Sequence, residues 1–355
     1  MNELPMVRTS VVILNWNGRE LLEQFLPLVL AHTVNEECRV VVADNGSTDD
    51  SVDFLRSRFP EVPLVILDKN YGFAEGYNKA LQQVDSEYVV LLNSDVETTP
   101  GWLPTLVSFM DSHPEVAALQ PKILSHTRRD HFEYAGAAGG FIDRYGYPFC
   151  RGRILEVVEK DRGQYDEPVP VFWATGACLL IRKNDYTSHG GLDGSFFAHM
   201  EEIDLCWRLN ARGRKVMCVP SSAVYHVGGA SLGKDNPKKM YLNFRNNLLM
   251  LYKNVPRDRY LTTFAARCFF DFLAFGHLLL KRNFKSGQAV ITAYIDFFKA
   301  RSSYKKARQE NLEKTRVQDV ATWYKGSILS RFYTGKRTYS AIFGEGGVNS
   351  RKGVV

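Results

Sequence analysis

The chain has 355 residues, 45% of them hydrophobic and 24% charged, so it can bury a large core and is not a disordered polypeptide. Its net charge of +6 conceals a division: residues 1–233 carry 21 Lys+Arg against 31 Asp+Glu, a net of −10, and residues 234–355 carry 24 against 8, a net of +16. An acidic body with a basic tail narrows the partner of the tail to a polyanion, either nucleic acid or an anionic membrane surface.

The first half alternates strand-like and helix-like segments, the pattern of a parallel sheet covered by helices. Ser10 to Asn15 is a β-branched run that ends in polar residues, and Arg19 to Ala31 follows with helical spacing. Arg39 to Ala43 and the helix Asp49 to Arg58 come next, then Pro63 to Leu67, the helix Phe73 to Val84 and the strand Glu87 to Leu92. Each strand ends in a polar loop, and in open α/β sheets ligands bind beyond the carboxyl ends of the strands, so these loops are expected to converge on one site. Further on, Trp102 to Ser112 reads as a helix, Val116 to Leu119 as a strand, the Gly-rich Tyr134 to Tyr147 as loops and short strands, and Trp173 to Ile181 as a buried strand. Glu201 to Ala211 reads as a helix and Lys215 to Val219 as a strand, and from about Met240 the pattern is helical, aromatic and basic.

Six scattered cysteines, most inside apolar runs and none in a CxxC pair, read as buried thiols of a reducing compartment and argue against structural zinc. Met1 to Ser10 shows no basic segment followed by an apolar one, so no secretory signal is expected and the body is placed in the cytoplasm.

Three strand ends carry chemistry. Asn93-Ser94-Asp95 follows an apolar strand; a carboxylate there can hold a hard divalent cation, and the cation can neutralise a diphosphate. Taken alone it is equally a polar strand-to-helix loop. Asp44-Asn45-Gly46-Ser47-Thr48 sets an acceptor carboxylate and two hydroxyls at a helix start, which suits a nucleoside with phosphate nearby, although a capped turn reads the same way. Asn70-x-Gly72-Phe73-x-x-Gly76-x-Asn78 puts glycines where backbone can approach a ligand, but it is not a GxGxxG, which disfavours a dinucleotide.

Together these pieces resemble glycosyltransferase family 2, inverting enzymes of the GT-A nucleotide-sugar fold. The matching segments are Val12 to Asn17, Val42 to Asp49, Asn70 to Asn78, Leu92 to Asp95, Trp173-x-Thr175-Gly176, Phe196 to Arg208 with Glu201-Glu202-x-Asp204, and His226. They fall in order over roughly residues 8–250, and the nearest look is to the rhamnosyltransferase-like branch, which often reads NxD where others read DxD.

The resemblance implies a Rossmann-like mixed α/β sheet flanked by helices over residues 1–235, a helical basic and aromatic segment over 236–340, and a disordered tail over 341–355. It implies that Asn15, Asn17, Asp44, Asn45, Ser47, Asn70, Gly72, Phe73, Asn78, Asn93 and Ser94 hold the nucleotide sugar. Asp95 and His226 would hold Mg²⁺ or Mn²⁺, and Trp173 and Gly176 would wall the acceptor; tryptophan in this strand reads equally as core. Inversion also needs a carboxylate to take the acceptor proton. Glu201, Glu202 and Asp204 are candidates, and Glu202 shares a helical face with Leu205, Cys206 and Leu209. Glu202 is the expected base with Glu201 second, while Asp204 and Arg208 form an i,i+4 pair of structural type.

In the tail, Leu261 to Leu280 is rich in Phe and Leu yet contains Arg267, Asp271 and His277, so it reads as an interfacial helix rather than a spanning one. With Lys281, Arg282, Lys285 and the basic run after Ala300, it suits an anionic membrane at the cytoplasmic side; docking on the catalytic domain is the alternative. The expected reaction moves a hexose or deoxyhexose, rhamnose or galactose for instance, from a UDP- or dTDP-sugar to a saccharide, on a polyprenyl diphosphate carrier, for a cell-surface polysaccharide. A sugar-phosphate nucleotidyltransferase would need a Gly-rich basic loop where Asn15-Trp16-Asn17-Gly18 stands. An inactive nucleotide-sugar binder at the membrane is the competing reading, and no nucleic-acid recognition motif is present.

Overall fold

A computed structural model describes residues 6–228, 236–344 and 347–348. The first half runs β1 (Val7–Asn15), α1 (Arg19–Thr33), β2 (Cys38–Asp44), α2 (Ser51–Arg58), β3 (Leu64–Ile66), α3 (Gly72–Leu81), β4 (Ser86–Asn93), β5 (Val96–Glu97), α4 (Trp102–Ser112) and β6 (Val116–Ser125). There follow β7 (Gly140–Asp143), β8 (Pro148–Cys150), β9 (Arg153–Ile154), β10 (Val157–Val158), β11 (Val169–Pro170), β12 (Cys178–Arg182), α5 (Lys183–Ser188), α6 (Glu201–Ala211) and β13 (Lys215–His226). The last part is α7 (Pro237–Asn254), α8 (Arg257–Leu280), α9 (Phe284–Ala300), α10 (Lys305–Glu313), β14 (Trp323–Tyr324), α11 (Ile328–Tyr333) and α12 (Tyr339–Phe343).

The main sheet has the order β11-β13-β6-β12-β4-β1-β2-β3, with β5 beside β13. Strands β1 to β4 run parallel where they pair, β12 runs antiparallel to both β4 and β6, and β13 runs parallel to β6. The carboxyl ends of β1, β2, β4 and β13 therefore share one edge with the amino end of β12. Strand β4 explains why this edge is reachable: Tyr88 to Leu92 are fully buried, while Asn93 and Ser94 emerge. Side chains on both faces bury two apolar layers, one under α1 and α4 and the other under α3 and α6, which is the mixed α/β arrangement expected.

Two strands extend beyond their sequence limits. β6 runs to Ser125 and β13 to His226, so His226 ends a strand rather than following one. Residues 173–177, by contrast, do not join β12: Trp173 makes an isolated antiparallel bridge with Gly140, and the chain turns at Gly176 and Ala177. The helical segment also shares structure with the body: β14 adds to the small sheet β10-β9-β8-β7, and Trp323 Nε1 donates to the Asp143 carbonyl at 2.9 Å. The tail expected to be disordered from 341 is corrected for residues 341–343, which belong to α12 and seat Phe343 on Phe149 in a stack. Residues 345–346 and 349–355 of that tail lie outside the described residues.

Candidate active site at the carboxyl edge of the sheet

Asn15 and Asp44 are register partners at the ends of β1 and β2. Asn15 Nδ2 donates to Asp44 Oδ2 at 3.0 Å and lies 3.3 Å from Ser47 Oγ, and the Ser47 amide donates to Asp44 Oδ1 at 2.9 Å. The carboxylate is thus oriented before any ligand arrives. Asn17, in the left-handed region at φ 50°, donates its amide to Ser47 Oγ at 2.9 Å and accepts from the Thr48 amide at 2.7 Å, stitching the two loops together. Asn15 Oδ1 is buried and has no partner in the protein. A Cβ at Gly18 would stand 2.5 Å from that oxygen and 3.7 Å from Ser94 Oγ, so Gly18 keeps the acceptor open. An orphan acceptor of this kind suits a ligand N–H or O–H.

Four of the expected ligand residues, Asn45, Asn70, Gly72 and Asn78, are engaged in contacts within the protein. The Asn45 amide group donates to the Gly72 carbonyl at 2.9 Å and accepts from the Tyr71 amide at 3.0 Å, and Asn70 Oδ1 accepts from the Gly72 amide at 2.7 Å. Asn78 bridges to Leu192 through both its carbonyl and its amide and accepts from the Tyr186 hydroxyl at 2.6 Å. Gly72, at φ 78°, makes room for Phe197 rather than for a ligand: a Cβ there would stand 2.5 Å from that ring. Phe73 opens α3, and its amide, with that of Ala74, donates to the Phe197 carbonyl at 2.6 and 3.1 Å.

Beyond β4, pairing of His226 with Val96 brings β13 beside the Asp95 loop. His226 Nε2 lies 3.0 Å from Asp95 Oδ1 and 3.3 Å from Asn93 Nδ2, and its Nδ1 lies 3.3 Å from Glu133 Oε2. Burial disfavours charge on this ring, but the two carboxylates outweigh it and raise the imidazole to about 10. Asp95, despite burial, is held below the usual carboxylate range by its hydrogen bond to His226 and by the charge of that ring.

Among the described residues no three His, Cys, Asp or Glu side chains form a metal-ligating group. Two donors nevertheless fit a hard cation, because adjacent ligands about 2.1 Å from an octahedral ion stand about 3 Å apart and such ions keep other positions for water and phosphate. Glu133 on the far ring nitrogen is the usual second partner of a ligating histidine. Nothing in its loop marked Glu133 in the sequence.

The third cluster begins at a distorted turn. Phe197, His199 and Met200 all have positive φ, at 64°, 72° and 74°, a costly state for residues with side chains. The turn delivers Glu201 and Glu202 to the first turn of α6. One carboxylate oxygen of each is buried without a partner. Burial pushes both groups up, Glu202 to about 7, and at Glu201 the Glu202 charge adds to the effect of burial. Glu202 is the more exposed of the two. Gly176 lies beside them: a Cβ there would meet the Phe73 ring at 2.9 Å and Glu202 Cβ at 4.0 Å.

Asp204 differs from both. It accepts from Arg208 Nε at 3.1 Å, Lys253 Nζ at 2.9 Å and Asn254 Nδ2 at 2.7 Å, so it ties α6 to α7. The expectation for Trp173 as an acceptor wall is corrected: it is buried, its Nε1 donates to the Phe141 carbonyl at 2.9 Å, and its ring lies flat against Gly140.

Sequence reasoning also missed Asn246. Its single amide nitrogen lies 2.9, 2.9 and 2.8 Å from the carbonyls of Phe196, Ala198 and His199, and Arg245 Nη2 adds the Ser195 carbonyl at 2.9 Å. The available signal was three asparagines, Asn243, Asn246 and Asn247, poor helix formers close together in the middle of α7.

An oriented carboxylate and an open amide oxygen, a carboxylate–histidine pair and two glutamates each with an orphaned oxygen lie along one sheet edge, an arrangement that fits a glycosyltransferase of the GT-A class. The chain belongs to glycosyl transferase family 2, whose sequence model matches residues 10–186. It is similar to the N-acetylglucosaminyl-diphospho-decaprenol L-rhamnosyltransferase of Mycobacterium tuberculosis, 28% identical over 259 residues that cover 68% of this chain and 83% of the relative. Among solved structures it resembles S. aureus TarS 1-349 in complex with UDP-GlcNAc, with a TM-score of 0.55 at 16% identity over 93% of this chain and 92% of that one. It also resembles GalNAc-T7 with UDP, GalNAc and Mn²⁺, with a TM-score of 0.55 at 15% identity over 70% of this chain and 48% of that one. These two likenesses concern the fold.

Proposed function

We propose that this glycosyltransferase moves one hexose or deoxyhexose, rhamnose or galactose among them, from a UDP- or dTDP-sugar to a hydroxyl of a saccharide carried on a polyprenyl diphosphate, with inversion, in cell-surface polysaccharide synthesis. The observation that carries the reading is the Glu201–Glu202 pair, each with one buried carboxylate oxygen that has no partner, on the same edge as Asp44 and Asp95. The decaprenol-linked acceptor in the name of the mycobacterial relative supports the acceptor class. The UDP-sugar and Mn²⁺ in the structural relatives support the donor class and the cation.

In this reading Asp44 and Asn15 Oδ1 receive the donor groups of the nucleoside, and Asn17 and Ser47 fix the loop that presents them. Asp95 and His226 would hold a divalent cation, which supplies neutralisation of the diphosphate charge when bound. Glu202 takes the acceptor proton. The acceptor oxygen then bonds to the anomeric carbon as the bond to the phosphate oxygen breaks, and the nucleoside diphosphate leaves with the electron pair. A base whose affinity for protons lies near neutrality is suited to this transfer. Glu201, more deeply buried and beside the Glu202 charge, is pushed toward its neutral form.

The test is release of nucleoside diphosphate from a panel of UDP-, dTDP- and GDP-sugars, with and without Mn²⁺ or Mg²⁺, using lipid-linked saccharide as acceptor. Cation-dependent release from one donor, lost in Glu202→Gln, is the expected result. Nucleotide binding without release from any donor would favour the inactive binder, and absence of nucleotide binding would overturn the reading.

A further inference from the structure

Helix α8 is built inside out. Its buried face carries Thr263, Arg267 and Asp271. Arg267 Nε lies 2.8 Å from Asp271 Oδ1, and the Asp271 carboxylate also accepts from the hydroxyls of Tyr147 at 3.0 Å and Tyr294 at 2.8 Å. The Arg267 guanidinium lies over the Tyr147 ring at 4.1 Å. The outward face is apolar: Phe269 is 58% exposed, Phe272 70% and Leu280 86%, and the neighbouring helix α9 adds Phe284 at 64% with Ile291 and Phe298 about half exposed. By length and composition α8 suffices to cross a bilayer.

Water does not favour such an arrangement. A contiguous apolar face of several large side chains is rare on a soluble monomer and marks a surface meant for something else. The charges around it say what. Lys281 and Arg282 lie exposed in the turn between α8 and α9, Lys285 is exposed in the first turn of α9, and Lys299 and Arg301 close the other end. Of the acids on these two helices, Asp271 is buried, Asp296 accepts from the Tyr241 hydroxyl and Asp258 is exposed at the start of α8.

We infer that the α8–α9 hairpin seats the enzyme on an anionic lipid bilayer, with the Phe- and Leu-rich face among the acyl chains and the basic turn at the phosphates. The helix lies in the surface and does not cross it, because crossing would strip Asp271 from Tyr147 of the catalytic body and carry a charged pair into hydrocarbon. The surface is the cytoplasmic leaflet of the plasma membrane, where anionic lipid and nucleotide sugars occur on the same side. The inference extends the proposed reaction by placing the enzyme where a lipid-linked acceptor lies, but it stands on the hairpin alone.

The experiment is flotation of the full chain with vesicles of phosphatidylcholine, with or without about one third phosphatidylglycerol, read without turnover so that failure here and failure of the proposed reaction are separate. The expected result is flotation with the anionic vesicles that weakens with salt. It should fall at least tenfold in Phe272→Ser/Leu280→Ser and in Lys281→Glu/Arg282→Glu, with nucleotide-dependent thermal stabilisation unchanged in both. Failure of the wild-type chain to float would overturn the inference. So would a dimer in light scattering that Phe272→Ser/Leu280→Ser converts to monomer without any flotation, because the face would then be covered by a second copy of the chain.

Discussion

Two of the places where the chain buries carboxylates treat them in opposite ways. In the middle of α8, Asp271 has a guanidinium and two phenol hydroxyls around it. At the start of α6, Glu201 and Glu202 each keep a buried oxygen with no partner. The first arrangement is what folding requires when a charge leaves water. The second raises the free energy of the folded chain, and it persists at the end of a turn with three strained residues. Unfavourable electrostatics and unfavourable backbone at one point are the mark of a site shaped for a reacting ligand. Asp204, three residues on, returns to the first pattern, with partners from α6 and α7.

Breaking each side of this contrast should have different consequences. The largest effect expected is on turnover: Glu202→Gln lowers kcat by about 10²–10⁴-fold, the range for losing a general base, with nucleotide binding retained. Nucleoside diphosphate release measures it, and a larger loss in Glu201→Gln than in Glu202→Gln would reassign the base. Next comes Asp271→Asn, which leaves Arg267 buried without its counter-charge and costs about 3–5 kcal/mol of stability. Chemical denaturation reads it, while kcat per folded molecule stays near wild type. A smaller effect is expected at Asn246→Ala, which removes the three hydrogen bonds that hold the turn before Glu201. It lowers kcat about tenfold to a hundredfold through misplacement of the base, with the KM for the donor nearly unchanged. Equal losses in kcat and in stability would mean that Asn246 only holds the fold.

The same contrast explains how much was legible beforehand. The strands and helices of the first half follow from period and from β-branched runs, and Asn15, Asp44, Asp95 and His226 stand where strand ends in a parallel sheet must put them. Trp173 was not legible in this way, because a tryptophan near a strand has the same pattern whether its ring faces a sugar or Gly140. Asn45, Asn70 and Asn78 look like ligand groups in sequence, yet Asn45 and Asn78 spend their amides on backbone from distant parts of the chain, Gly72 and Leu192, and Asn70 accepts from the Gly72 amide and the Asn45 side chain. Long-range pairing of this kind leaves no local trace, and for the same reason Glu133 and Asn246 went unread. In α8 the sequence shows charges among phenylalanines but not which of the two faces inward, and it is Tyr147, just before β8, and Tyr294 of α9 that decide it.

The smallest effect is also the most direct check that the Glu202 carboxylate is unpartnered. Its folded-state value lies near 7, above the ordinary 4.5, so below pH 4.5 the group is neutral in folded and unfolded chains alike. As pH rises from 4.5 through 7, the unfolded chain releases the proton first and stability is lost; above 7 the folded chain carries a charge its surroundings disfavour. Glutamine has the same shape and never charges. Glu202→Gln should therefore match wild type in melting temperature near pH 4.5 and exceed it above pH 7 by about 1–2 kcal/mol, an allowance made for the partial exposure of the group. A variant that is inactive and yet more stable at pH 8 would show that the site and the fold pull in opposite directions at this residue. A variant less stable at pH 8 would mean that the carboxylate has a favourable partner within the protein, and the reading of Glu202 as a base held open for a substrate would fail with it.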